Sequence, residues 1–429
     1  MYEIVLLALG SPLWLSLGIA AAAVLFALYV SLWSVLVALW TIGGALAVCA
    51  VGSVPTCIVF VAGGSSASGA ALLSAGMVCA GLAIFMVCGC KTATKGTILL
   101  YQKRGSIMSR TTKIWLIPAA SLVLVGCVLF VGVMSTLAWD FAKLSTVRYE
   151  TNTHEVGEAF DNISLTTDTA DIVFALSQDG RCTVACYEEE NARHTVTIEE
   201  NTLKIMIVQT KSWYDYIGFY FGTPKITVYL PKTEYLALCI GASTENVEIP
   251  AEYSFENVDI SLNTGDIRFC ASVSASGKMK TTTGNIRIEN TSVGSLALSA
   301  TTGRVTASKV TCAGVVTVGV STGEAHLTNV ICESGISTGS TGNITLNHVI
   351  AAEKISIERT AGSVQFNHCD AAEVYVKITT GDVTGHLLSN KKFVADTGTG
   401  SIDVPATGDG GRCEIITGTG DIQMAIKQF

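Results

Sequence analysis

The sequence predicts two folds in one chain: an N-terminal α-helical transmembrane bundle and an all-β C-terminal solenoid, β-helix-like, with about 19–20 residues per rung. Three observations carry this. Residues 4–90 and 114–139 contain no Asp, Glu, Lys, Arg or His. Nine glycines recur in register: Gly265, Gly284, Gly303, Gly323, Gly342, Gly362, Gly381, Gly400 and Gly420, each 19 or 20 residues after the last. Apolar residues alternate with polar ones on both sides of each glycine.

A helix needs about 20 apolar residues to cross a bilayer. Residues 1–90 form a hydrophobic membrane region with room for two to three spans: "PLWLSLGIAAAAVLFALYV", "SLWSVLVALWTIGGALAVCAVG", which either crosses separately or extends the first, and "SGAALLSAGMVCAGLAIFMVC". Small residues in these tracts suit close helix packing. Residues 91–113 form a basic loop with Lys91, Lys95, Lys103, Arg104, Arg110 and Lys113 and no acid. The positive-inside rule places that loop in the cytoplasm. Residues 114–139 form the last transmembrane helix, bounded by Trp115 and Trp139 as interfacial anchors. Everything beyond is then extracellular.

Of the 35 acids only Glu3 precedes residue 140, and six of the 27 bases do, leaving 34 acids against 21 bases outside. An acidic surface of this kind excludes nucleic acid as a partner. Residues 140–250 read as a linker and irregular β cap, of the kind a solenoid needs to shield its first rung. Within it "TTDTADIVF" and "ASTENVEIP" are degenerate copies of the repeat, and "KSWYDYIGFYFGTP" is an aromatic loop. That loop is expected to plug the cap, with a ligand-contacting patch as the alternative.

Residues 251–429 are the repetitive solenoid. Two positions after the glycines stand Ile267, Ile286, Val305, Ala325, Ile344, Val364, Val383, Ile402 and Ile422. Polar residues such as Arg268, Arg287, His326 and Gln365 follow, and the next apolar column includes Phe269, Ile288, Leu346 and Phe366. Period-2 alternation defines a strand with one face inward. A second strand precedes each glycine, with Leu296/Leu298, Val316/Val318 and Ile355/Ile357 inward. The glycine is the turn between them, where a positive φ is needed. Thr precedes it in eight of nine units, Ala361 being the exception, and is expected to bond nearby backbone groups. No proline occurs from residue 251 to 404, as ladders require.

The stretches "FDNISLTTDTADIVF", "SWYDYIGFYFGTPKITVYLP" and the "TTGDI"-type units resemble the bacterial β-strand-repeat family named "putative adhesin", a domain of unknown function. The membrane part, through "GCKTATKG", resembles the transmembrane portion of HAAS-type membrane proteins. Fuller members of that family begin with a cytoplasmic helical domain associated with signalling, and Met1 falls near where that domain would end. The resemblance implies adhesion for the outer part; an envelope sensor with the solenoid as detector is the alternative.

Chemistry is sparse by comparison. The histidines His154, His194, His326, His348, His368 and His386 lack metal-ligand spacing, and His326 is expected to be solvated. Asp266, Asp382 and Asp421 follow turn glycines, but a calcium-binding roll repeats every nine residues. A lyase or hydrolase on a β-helix would need acids clustered on one outward face, and the exposed columns show no such cluster. Cys312 and Cys332 each lie nine residues after a turn glycine on successive units, so stacking brings them together, as free buried thiols or as a bridge. The expectation is a non-catalytic multi-pass protein of the cell membrane with no cofactor or metal. Its partners would be the lipid bilayer and a cell-wall or surface carbohydrate or protein ligand.

Overall fold

The computed structural model describes residues 2–102, 110–145, 147–211, 222–406 and 408–427, with some helix side chains before residue 33 and between 93 and 113 left out. The chain divides into two compact units, one of the helices and one of the strands.

The helical unit holds α1 (Tyr2–Ala62), α2 (Ser66–Gln102) and α3 (Arg110–Thr136). Among the described residues three stretches are long and apolar enough to cross a membrane: Trp33–Ala62, Ser66–Thr92 and Ile114–Thr136. The first two sequence tracts therefore belong to one continuous helix, because no Pro, Gly pair in the left-handed region or charge interrupts them. The break comes at Gly63–Gly64, where Gly64 takes φ 85° and the Ser65 N–H bonds back to the Phe60 carbonyl at 2.9 Å. This closes α1 in a left-handed cap and starts α2 beside it. Helices α2 and α3 approach through glycines. A Cβ on Gly81 would lie 2.6 Å from the Ala119 carbonyl oxygen, and one on Gly126 would lie 2.8 Å from that of Ser74. The two helices thus meet backbone to backbone at small residues, an approach that favours close van der Waals packing.

The strand unit is a parallel stack. Each rung is strand, glycine corner, strand, and equivalent residues of successive rungs pair in register: Ile267 with Ile286, Val305 with Ala325, Ile344 with Val364. Stacking in register turns each sequence column into a continuous row of like side chains. Eight of the nine residues two positions after the glycines are buried, and the exception, Ile402, is 46 % exposed. One hydrophobic core runs through the whole stack, from Ile163 to Met424.

The first rungs are built before the regular repeat begins. Strands β1 (Tyr149–Val156), β2 (Asn162–Thr167), β3 (Asp171–Leu176) and β4 (Cys182–Glu189) are followed by β5 (Ala192–Glu199), β6 (Thr202–Gln209), β7 (Lys225–Leu230), β8 (Glu234–Thr244) and β9 (Val247–Ile249). Strands β2 and β3 pair directly with β8 and β9, so the two degenerate copies form adjacent rungs. The chain between them leaves the stack. Strands β6 and β7 continue it in parallel on the other side of β2 and β3, and β5, β4 and β1 then finish it with antiparallel pairings. Antiparallel strands close the end that would otherwise present a free edge.

The far end departs from sequential stacking. The rung made by Lys391–Thr399 and Ile402–Asp403 does not follow Glu373–Thr380 and Val383–Leu387. The later rung, Gly411–Thr419 with Ile422–Ile426, lies between them: Thr380 pairs with Thr419, and Thr419 pairs with Thr399. The corner glycines thus stack in the order 362, 381, 420, 400. Terminal placement explains why Ile402 alone in its column meets solvent.

Candidate functional site

The nine corner glycines all have φ between 127° and 151°, a region closed to residues with a Cβ. Their carbonyls also touch: a Cβ on Gly303 would lie 1.9 Å from the Gly284 oxygen, and one on Gly323 1.8 Å from the Gly303 oxygen. Glycine is required twice, by conformation and by the approach of neighbouring rungs.

The residues beside these corners form a side-chain ladder. Asp171 Oδ1 accepts the backbone N–H of Asn246 at 3.0 Å, Asn246 Oδ1 that of Asp266 at 2.9 Å, Asp266 Oδ1 that of Asn285 at 2.7 Å, and Asn285 Oδ1 that of Arg304 at 3.0 Å. A second run links Asn343 to Ser363 at 2.9 Å, Asp382 to Asp421 at 2.8 Å and Asp421 to Ser401 at 2.7 Å. Between the runs the Arg304 guanidinium meets Glu324 at 2.7 Å. The acids after the glycines are therefore spent on tying rung to rung. Glu245, which occupies a corner position, is pushed up to about 7 by burial and then by its hydrogen bond to Asp171.

The threonines immediately before the glycines are exposed, which corrects the expectation that they bond the turn. That bond comes from residues three before the glycine, whose side chains point inward. Thr281 donates to the Gly265 carbonyl at 3.1 Å, Thr417 to Gly381 at 3.1 Å, and Thr397 to Gly420 at 3.0 Å. A second corner, six residues after the glycine, was missed from sequence: Asn290, Lys309, Asn329, His348 and His368 all have φ of 53–54°. The Asn content of that column was its readable signal.

Among the described residues, one buried polar cluster has the ordering of a catalytic group. Asn152 donates to Glu188 Oε1 at 2.7 Å, and Glu188 Oε2 accepts from His194 Nδ1 at 2.7 Å and from the His194 backbone N–H at 2.6 Å. With Nδ1 protonated, His194 Nε2 accepts from the Thr167 hydroxyl at 2.9 Å. Hydroxyl, imidazole and carboxylate are in the order of an acyl-transfer triad. Thr167 is 2 % and His194 4 % exposed, so no substrate carbonyl reaches the hydroxyl. Ligand atoms of Cys186, Glu188 and His194 lie within 4.8 Å of one another. Both imidazole nitrogens and both carboxylate oxygens already have protein partners. The Cys186 thiol is pushed up to about 12, by burial and then by Glu188, so it stays a protonated thiol within this network. The cluster is a satisfied buried network that joins the cap to the first rung.

Other sequence candidates are placed as follows. His326 is not simply solvated, since its Nε2 lies 3.1 Å from Glu324. His348, His368 and His386, scattered in sequence, meet on neighbouring rungs with ring centroids 5.0 Å and 4.2 Å apart. Cys312 and Cys332 are both buried and both free. Lys91 is exposed on α2; Lys95, Arg110 and Lys113 lie on helices with their side chains outside the described set. Lys103, Arg104 and most of the aromatic loop, residues 212–221, lie outside the described residues. A cleft of about 700 Å³ opens on the cap, lined by Glu155, Glu158, Phe160, Arg181, Pro231 and Tyr235. On the flank of the stack, ion pairs join successive rungs: Glu248 to Arg268 at 3.0 Å and Asp259 to Lys278 at 3.4 Å.

No curated protein matches the sequence. Among solved structures, a protein of Bacteroides fragilis named a "putative adhesin" is similar at 16 % identity and a TM-score of 0.34, over 65 % of this chain and 97 % of that one. A "putative adhesin" of Parabacteroides distasonis is similar at 12 % identity and a TM-score of 0.36, over 66 % and 98 %. A "putative cell adhesion protein" of Clostridium sporogenes is similar at 11 % identity and a TM-score of 0.18, over 65 % and 100 %. The family described as Toastrack DUF4097 matches residues 160–329 and 314–429. These matches span most of the strand unit and more than half the chain, and the protein belongs to the Toastrack DUF4097 family.

Proposed function

We propose that this is a multi-pass membrane protein whose β-solenoid is displayed outside the cell as a rigid, non-catalytic module for adhesion or envelope interaction. One observation carries the reading. Across the exposed strand faces, equivalent residues repeat in register on successive rungs and are joined there by ion pairs such as Glu248–Arg268. A surface held this way has a fixed spacing of charged and hydroxyl groups. It can meet a repetitive partner, such as cell-wall polysaccharide or a protein array, without ordering itself on contact. The buried Thr167–His194–Glu188 network supports the non-catalytic half of the reading, because its chemistry is sealed from solvent. The basic segment at residues 91–113 supports the orientation.

The test uses cells producing the full chain and cells producing a chain lacking residues 251–429. Protease added outside should cleave beyond residue 140 in intact cells. Fluorescent envelope or cell-wall fragments should be retained by the first cells and not by the second. Retention by neither, with the protein at the surface, would refute the adhesive role.

A further inference from the structure

Three of the six histidines gather on the last rungs of the stack. The corner column that holds Asn290, Lys309 and Asn329 on earlier rungs becomes His348 and then His368, all with φ of 53–54°. Asn347 and Asn367 pair in the ladder, which sets one imidazole over the next. The two rings stack with centroids 5.0 Å apart and planes inclined by 12°. The following rung is one residue shorter at this corner. Gly385 pairs with Phe366 and Leu387 with Cys369, so His386 alone stands opposite Asn367 and His368. Its ring turns edge-on to His368, at a centroid distance of 4.2 Å and an angle of 88°.

The surroundings favour neutral rings. His386 Nε2 is buried without a hydrogen-bond partner, and His348 Nδ1 meets the uncharged Asn347 amide oxygen at 2.9 Å. The strand that carries His386, Val383–Leu387, has no other charged residue. The groups that face His386 from the elements around it are His348 on Ile344–Ala361, His368 on Val364–Cys369, and Lys427 just after Ile422–Ile426. Its ladder partner on that last strand is Ala425. Asp370, two residues after His368, is taken by Lys391 Nζ at 2.8 Å. Burial first, and then His368, Lys427 and His348, hold His386 below the usual histidine value.

Neutral imidazoles pack at these separations, whereas imidazolium rings repel one another, most strongly where water is excluded. We propose that His348, His368 and His386 form a proton-operated latch, which holds the last rungs together when neutral and loosens them on acidification. The folded state takes up the His386 proton less readily than the unfolded chain does. The latch therefore contributes stability above about pH 6.5 and loses it as pH falls below that value. Earlier rungs carry Asn or Lys at the same corner and do not share the response.

Hydrogen exchange of the full-length protein in detergent tests this, read by mass spectrometry as protection relative to an unstructured peptide at each pH. Residues 381–390 should lose protection several-fold between about pH 7.5 and about pH 5. Residues 296–307, which contain no histidine, should keep theirs. His386→Gln should flatten the response of residues 381–390. If that variant fails to fold, His348→Gln, at the exposed end of the three rings, should shrink the loss. Constant protection of residues 381–390 across this window would overturn the proposal. So would an equal loss in residues 296–307, or an undiminished loss in whichever variant folds.

Discussion

At Gly303 two demands meet: φ is 144° and the carbonyl of Gly284 lies where a methyl group would go. Gly303→Ala should therefore destabilise by about 3 kcal/mol or more, while Thr302→Ala, exposed one residue earlier, should stay within about 0.5 kcal/mol. Chemical unfolding of the two variants checks this contrast. Glu245 makes a second prediction at this scale. Its folded-state pKa is about 7, above the ordinary carboxylate value, so the folded form binds the proton more tightly than the unfolded form. Its contribution is present at low pH and is lost as pH rises from about 4.5 to 7. Glu245→Gln should remove that decline, giving a flatter unfolding midpoint across the same window. Residue identity made the glycines legible in the sequence, because only one residue type tolerates that φ. Glu188 was not legible, because in the irregular cap no repeating column marks which side chains turn inward.

At the scale of elements, the strands were readable because burial alternates with period 2 and the columns are nearly pure. The ladder beside the corners was half readable: the acids were visible, but their use depends on a backbone N–H 19 or 20 residues away. Asp266→Ala leaves the N–H of Asn285 without its partner and should cost about 1 kcal/mol, seen as a lower unfolding midpoint. Thr167→Val should cost about 1–3 kcal/mol, since it strips a buried imidazole nitrogen of its donor; no hydrolytic activity should be lost with it. In the helical unit, Gly81→Leu would drive a side chain into the Ala119 carbonyl. It should separate α2 from α3, measured as reduced cross-linking between cysteines placed on the two helices.

At the scale of the whole molecule, the period announced a stack, but not its order. The step from Gly400 to Gly420 is the same as the others, so the spacing hides the exchange of the last two rungs. The only local hint is the Pro405 to Gly411 stretch, where "PATGDGG" interrupts the ladder pattern. Physically the exchange tucks the last repeat inside and leaves a single short rung with Ile402 at the end. The division into an uncharged helical part and a strand part of mixed charge was legible from charge alone. The central claim is the in-register stack with that order, since the corners, the ladder and the exposed rows all derive from it. The most direct measurement is cross-linking with a short bifunctional thiol reagent of about 5 Å, the distance between neighbouring strands. In the predicted order Thr380→Cys with Thr419→Cys should cross-link rapidly, as should Thr399→Cys with Thr419→Cys, because these residues are paired. Rapid cross-linking of Thr380→Cys with Thr399→Cys, and none with Thr419→Cys, would contradict it.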